Sequence, residues 1–415
     1  MTAPPLMTID AATRRVSLDT RDPAFFAAPH GAYAALHAAA PSFFWKEQRQ
    51  WYVAGYDEVN ALLRDRRFGR QVLHVATREE LGLPEPKPHL ADFDALEAHS
   101  LLELEPPAHT RLRTLVNRAF VSRHIERLRP EIAGLANTLI DGFSADGCVE
   151  LLSAYAEIIP VTVIARMLGV PEAMGPSLLD WSHRMVKMYM FNPSPDTEHD
   201  ANAAAAEFAR YLRSVVAEKR RAPGDDLISL MIAAQENGDR LSEDELISTA
   251  VLLLNAGHEA TVHQIGNAVN VILASGLDPA RLFADAAATE RTVEECLRHA
   301  APLHVFQRYA LSDVELDGGV RLKKGERIGL LLAAANVDPR KFRDPLAFRP
   351  ERDEGAHLSF GAGLHFCIGA PLARLELQIA LPVLFERLPR LRLAAAPKVR
   401  DSFHFHGLEQ LDLAW

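Results

Sequence analysis

The chain reads as mainly α with a minor β region, on three observations. The stretch from Ser242 to Gly276 keeps helical spacing throughout, and further segments repeat apolar residues every three to four positions. Strand-like runs are few and short, the clearest being Phe43 to Tyr56 and Tyr309 to Leu332. With 415 residues, 48 % of them hydrophobic, there is material for a large core, and length alone would allow two or three domains. A net charge of −10 argues against a broad phosphate-binding surface, so nucleic acid is not an expected partner. Cys148, Cys296 and Cys367 are far apart with no CxxC pair, which fits a reducing compartment and argues against a structural zinc site. The opening MTAPPLMTIDAATRR has neither a signal-peptide core nor an apolar run of about eighteen residues, so the expectation is a cytoplasmic protein with no membrane span.

In chain order, Asp22 to Ala40 is short and helical and ends at Ala40-Pro41. The string FFWKEQRQWYVAGY, Phe43 to Tyr56, predicts a hairpin around a polar turn, and Tyr56 to Arg66 returns to helical spacing. Phe68 to Ser100, polar and proline-bearing, is expected to be one long irregular stretch, either functional or simply solvated. Pro106 and Pro107 cannot lie inside a helix but can precede one, and helical spacing follows to Phe120. His109 and Arg113 are four apart there, so they share a face and can grip an anion together. Arg111, Arg118 and Arg123 add a basic patch on an acidic protein, a candidate docking surface for an acidic partner. Arg129 to Gly169 reads as amphipathic helix closed by Gly169 and Pro171. Met185, Met188, Tyr189, Met190 and Phe191 crowd into a few turns, a pattern that serves a core or an adaptable pocket wall. Ala201 to Arg220 is helical again, and APGDDLIS reads as a linker.

Ser242 and Glu245 form a capping-box pattern ahead of the longest helix. Roughly thirty residues at 1.5 Å each make it about 45 Å long, enough to cross the molecule. Asn255, His258 and Glu259 interrupt its apolar middle beside Gly257, so packing alone is a strained account of that segment. Downstream, Glu295 and Arg298 sit three apart on a helix. LDGGV and KKGE mark turns between strands, Asn336 to Pro350 is irregular, and a helix follows from about Pro371 with Arg374 facing out as a further docking cation. The chain closes with FHFHGLEQLDLAW, an expected strand pair.

The stretch FGAGLHFCIG, Phe360 to Gly369, carries the chemistry. A cysteine just ahead of a helix start meets the positive end of the dipole and free N–H groups, which favours thiolate. Gly361, Gly363 and Gly369 let the backbone approach a flat partner. One soft thiolate suits iron in a macrocycle that supplies the other ligands. A structural cysteine in a glycine turn, or a nucleophile activated by His365, are the competing readings of the same residues.

The ten-residue string resembles the haem-binding loop of the cytochrome P-450 family of haem-thiolate monooxygenases, and other segments extend the likeness over nearly the whole chain. PPAHTRLR resembles its PPxHxxxR element, TVEECLR its ExxR element, and AGHEAT its oxygen-binding AGx(D/E)T(T/S) segment. The resemblance implies one catalytic domain over residues 1–415, a triangular helical prism with a small β region enclosing one haem b. It implies Cys367 as axial iron ligand, with Phe360, Gly361 and Gly369 around the haem, His365 facing a propionate, and His109, Arg113 and Arg308 binding the propionates. Glu295, Arg298 and Arg352 become a buried ion network bracing the cysteine loop. Glu259 takes the acid position of the oxygen-binding segment, but Ala260 stands where most members have threonine and Thr261 follows it. Adjacent helical positions differ by about 100°, so Thr261 cannot substitute for its neighbour. Leu303, His304, Val305, Phe306, Phe403 and Phe405 are expected to line a pocket for a lipophilic small molecule, with Phe68 to Ser100 and the methionine-rich segment walling and lidding it. Electrons come, by the same resemblance, from a ferredoxin and its reductase, which uses NAD(P)H, the protein itself acting as a monomer. Two alternatives stand beside this: a haem-thiolate enzyme of another class, using peroxide or coupling and rearranging substrates without net oxygen insertion, for which Ala260 speaks, and a non-enzymatic haem binder such as a gas sensor, for which a pocket and lid would be superfluous.

Overall fold

A computed structural model of the chain describes residues 6–119, 125–190, 193–236 and 239–415; Arg123 and Phe191 lie outside them. Helices dominate. The central one runs Glu243–Ser275 with both halves of the Ser242/Glu245 capping box formed, and Gly276 ends it at φ 67°, a left-handed turn that glycine adopts without strain. At 33 residues it is about 50 Å long. It stays α-helical through AGHEAT, so Gly257 and the polar residues beside it do not break the backbone. Packed around it are Ile158–Leu168, Gly175–Val186, Pro195–Arg221, Ala286–His299 and Ala370–Arg387. Leu246, Ile247, Ala250, Leu254, Ile265, Ala268 and Val269 bury the central helix on nearly all sides, within the largest hydrophobic cluster.

The β region is one seven-stranded sheet with order Met7–Asp10, Arg15–Leu18, Ser42–Trp45, Gln50–Val53, Arg327–Leu331, Val305–Ala310, Phe68–Gly69, plus small sheets. The predicted hairpin forms with Phe43 opposite Tyr52 and Phe44 opposite Trp51. Three expectations need correction. Within Phe68 to Ser100, Ala91–Glu97 is helical, because Leu90, Phe93 and Leu96 recur at three-residue spacing and bury together, while Asn202 Oδ1 accepts from the Asp92 and Phe93 N–H groups at 2.9 and 3.0 Å. Arg129 to Gly169 is two helices separated by the strand Cys148–Glu150 and a π-helical turn. The closing strands Leu408–Gln410 and Asp412–Ala414 pair not with each other but with Lys398–Val399 and with Arg392–Leu393 and Cys148–Glu150, since Leu411 between them leaves no turn. Among the described residues no helix is long and apolar enough to cross a membrane.

Candidate active site

The cysteine loop is held from behind by a buried ion network. Arg298 donates to Glu295 from Nε at 2.7 Å and Nη2 at 2.8 Å, Arg352 Nε adds a bond at 3.0 Å and the Arg349 N–H one at 2.7 Å, with the three side chains between 3 % and 7 % exposed. The guanidiniums spend their other donors on carbonyls of Asn336, Pro345, Asp344 and Ala347, so each buried charge is bonded. Asn336 passes the bracing on: its Nδ2 donates to Ser359 Oγ at 2.8 Å and its Oδ1 accepts from the Leu358 N–H at 2.7 Å, immediately before Phe360. The three residues that the resemblance singled out are thus together.

The loop then turns through Gly361 and Gly363, at φ 68° and 69°. At Gly363 a Cβ would stand 2.5 Å from the Leu63 carbonyl oxygen, so glycine is required sterically as well. The Cys367 N–H donates to the Phe360 carbonyl at 3.0 Å, and the helix Ala370–Arg387 starts three residues on. Burial pushes the Cys367 thiol up, against the N–H groups of Gly369 and Ala370 and the charges of Arg113 and Arg374, which pull it down. The helix start supplies the donors that the sequence implies, yet they do not by themselves yield thiolate; a metal cation on the sulfur would. Arg374 is no free docking cation. It bonds Glu294 at 2.7 and 2.8 Å and stacks over Phe360 at 4.6 Å, its charge held close to the sulfur. Arg111 likewise is paired, with Glu245.

Around the loop lie groups that lack partners. His109 is wholly buried with neither ring nitrogen hydrogen-bonded, and burial, with the charges of His365 and Arg113, pushes it down to about 4. Its ring centroid is 4.4 Å from that of His365, whose Nε2 meets Glu105 Oε1 at 3.1 Å. Arg308 is 3 % exposed and pushed down to about 9 by burial and the nearby Arg70. Among the described residues neither the buried Arg308, whose Nη1 donates to the Gln307 carbonyl at 3.0 Å, nor the half-buried Arg113 makes an ion pair, although buried cations are normally paired. Ala256, Gly257 and Ala260, on one face of the otherwise buried central helix, are accessible, and a Cβ added at Gly257 would meet nothing within 4 Å. Among the described residues no His, Cys or carboxylate set completes a ligand sphere around Cys367. One sulfur ligand, unpaired cations, an orphaned imidazole and an open small-residue face together fit a flat dianionic macrocycle whose metal needs one protein donor.

Glu259 lies in a cluster that the sequence reading missed. Its Oε1 accepts from Arg400 Nη1 at 2.8 Å and lies 3.4 Å from His263 Nε2, and its Oε2 is 3.4 Å from His183 Nε2. Burial would raise this carboxyl, but the bond from His263 and the charges of His263, Arg400 and His183 outweigh it and hold it well below the usual carboxylate range. Of its partners only His263 is local, four residues along the same helix; the others come from distant segments. Thr261 is buried, 4 % exposed, while Ala260 stays partly accessible.

The expected pocket residues divide. Phe405 joins Val186, Met190 and Glu259 in lining a small cleft, and bridges Leu303. Phe306 lies under Arg70 and Arg308, each 5.7 Å from its ring. Phe403 instead packs against Phe25 and Trp45 at 5.5 and 5.6 Å in the N-terminal core. His304 is buried with Nδ1 2.7 Å from Tyr33 Oη and its ring stacked on His406, and Val305 is 2 % exposed, so these three are packing residues by their contacts.

A family profile described as Cytochrome P450 matches residues 282–405. Over 401 residues the chain is 38 % identical to the cytochrome P450 monooxygenase PikC of Streptomyces venezuelae, covering 94 % of this chain and 92 % of that protein. It is 36 % identical over 391 residues to 6-deoxyerythronolide B hydroxylase of Saccharopolyspora erythraea, covering 91 % and 94 %. Among solved structures, P450BioI in complex with an acyl carrier protein ligated to hexadec-9Z-enoic acid superposes with a TM-score of 0.87 at 34 % identity, covering 94 % of this chain and all of that one. With the fold, the cysteine loop and these relatives in agreement, the chain belongs to the cytochrome P450 family, haem-dependent oxidoreductases that act as monooxygenases.

Proposed function

We propose that this protein is a haem b monooxygenase for a lipophilic small molecule, a cytoplasmic monomer working as one catalytic domain over residues 1–415, with electrons from a ferredoxin whose reductase oxidises NAD(P)H. The observation that carries the reading is the placement of Cys367, after a turn through Gly361 and Gly363, three residues ahead of the helix Ala370–Arg387, and in a loop whose Phe360 lies under the Arg374 guanidinium. Bound through a thiolate, a haem supplies O–O bond cleavage and oxygen transfer. Cys367 would hold the iron, Phe360, Gly361, His365 and Gly369 would shape the loop against the ring, and His109, Arg113 and Arg308 would bind the propionates. Glu295, Arg298 and Arg352 keep that loop rigid.

The chain's other task is to deliver protons and exclude stray water. Ala260 offers no hydroxyl, so the proton must travel another way. Glu259 is held ionised and serves as an anchor, with His183, 44 % exposed, at its outer oxygen and the wholly buried His258 beside it. The fixed Glu259 carboxylate, beside the accessible Ala256–Ala260 face of the central helix, can orient water that carries the proton there. Val186, Met190, Leu303 and Phe405 supply apolar wall for the substrate, and the hexadec-9Z-enoic acid held by the P450BioI structure supports an apolar ligand. Ala260 also supports a second reading, coupling or peroxide-driven chemistry without net oxygen insertion. The test is turnover of a ligand that shifts the haem spin state, under labelled dioxygen with a ferredoxin and reductase. One labelled oxygen in the product is expected; unlabelled, dehydrogenated or coupled product favours the second reading.

A further inference from the structure

We propose that His183, His258 and Glu259 form a second metal site, for a divalent ion with the preferences of zinc, which clips the Gly175–Val186 helix to the central helix. Each residue offers one donor, and the three donor atoms lie within 4.8 Å of one another. His183 Nε2 and Glu259 Oε2 are already 3.4 Å apart, close to the separation of about 3.3 Å between two ligands that sit about 2.0 Å from tetrahedral zinc.

The independent observation is His258. It is wholly buried, and neither ring nitrogen has a hydrogen-bond partner, an arrangement that native interiors rarely leave unexplained. Arg400 and His263 take Glu259 Oε1 and fix the carboxylate, leaving Oε2 for the ion. His183 is 44 % exposed, which opens the site to solvent and leaves room for water as a fourth ligand. Two imidazoles and one carboxylate suit zinc, nickel or copper and reject magnesium and calcium, which prefer all-oxygen shells. The positive charge of Arg400 beside the site weakens binding, so moderate rather than very tight affinity is expected. The site shares no residue with the Cys367 loop. An ion here would hold two packed helices together and occupy the Glu259 oxygen that faces His183.

The experiment uses the haem-loaded protein, stripped with EDTA and dialysed against zinc chloride, with bound zinc counted by mass spectrometry alongside His183→Ala and His258→Gln. The wild type is expected to hold one equivalent more than either variant at low micromolar free zinc, each variant binding that equivalent at least about 30-fold more weakly, and magnesium chloride is expected to leave no bound ion. Zinc should raise the Tm of the wild type and not that of His183→Ala. Because His183 is largely exposed, that variant should fold normally without zinc, and its metal-free Tm checks this. Equal zinc content in all three proteins, or no bound zinc in any, would overturn the proposal. The count is independent of turnover, so it stands or fails apart from the proposed catalysis.

Discussion

Replacing Glu295 by glutamine keeps the volume of the side chain and removes the negative charge between two buried guanidiniums. The carboxylate accepts four hydrogen bonds, from Arg298 at 2.7 and 2.8 Å, Arg352 at 3.0 Å and the Arg349 N–H at 2.7 Å. Oε1 accepts three of the bonds and Oε2 one, so the glutamine NH2, placed at Oε2, breaks at least the bond from Arg298 Nε, and two cations lose their counter-charge. Breaking a buried pair in this way costs about 3–5 kcal/mol. Unfolding entropy of roughly 2.1 cal/mol/K per residue gives about 0.9 kcal/mol/K for this chain, so Tm should fall by about 3–6 °C. The larger effect is local, because the network leads through Asn336 and Ser359 to the cysteine loop. Glu295→Gln should therefore lose haem on gel filtration, read as a fall in Soret absorbance relative to that at 280 nm, whereas Arg321→Ala, which removes the exposed pair with Glu315, should retain it. Unchanged Tm together with full haem content would refute the reasoning.

Other outcomes follow from the same geometry. His258 and His404 are both pushed down to about 4 by burial, so between pH about 6.5 and 4 the unfolded chain takes up protons that the folded chain refuses. Stability should fall as the pH drops through that window, by about 1.4 kcal/mol per pH unit for each, and a Tm that is flat from pH 7 to 5 would contradict it. Ala260→Thr should raise the share of reducing equivalents that end in product by several fold, measured as product against NAD(P)H consumed and peroxide released; unchanged coupling would remove the case for another proton route. Gly363→Ala, with φ at 69° and its Cβ 2.5 Å from the Leu63 carbonyl oxygen, should lower both Tm and haem retention. His109→Gln and Arg113→Ala should each weaken haem binding by about tenfold, followed by haem transfer to apomyoglobin, a loss of about 1.4 kcal/mol.

What the sequence disclosed tracks how local each signal is. The capping box at Ser242, the hairpin from Phe43, the Glu295–Arg298 spacing and the glycines before Cys367 are encoded within a few residues, and the structure has each of these features. Features made by distant segments were not legible. Arg400 reaches Glu259 across 141 positions, and His183 arrives from a different helix, so no spacing announced the cluster. Arg374 was expected to face solvent because its partner Glu294 lies 80 residues away. Phe403 and Phe405 alternate as a strand would, but pattern alone does not say that one side meets the N-terminal core and the other a cleft. The helix Ala91–Glu97 escaped notice because the polar, proline-bearing flank outweighed the spacing of Leu90, Phe93 and Leu96.

The central claim is that the Cys367 sulfur binds the haem iron as thiolate, and the carbon monoxide difference spectrum of the dithionite-reduced, haem-loaded protein tests it most directly. A strongly red-shifted Soret band is predicted for the wild type, lost in Cys367→Ala. A Soret band at the shorter wavelength of imidazole-ligated haem in intact wild type, or a red-shifted band that survives Cys367→Ala, would contradict it.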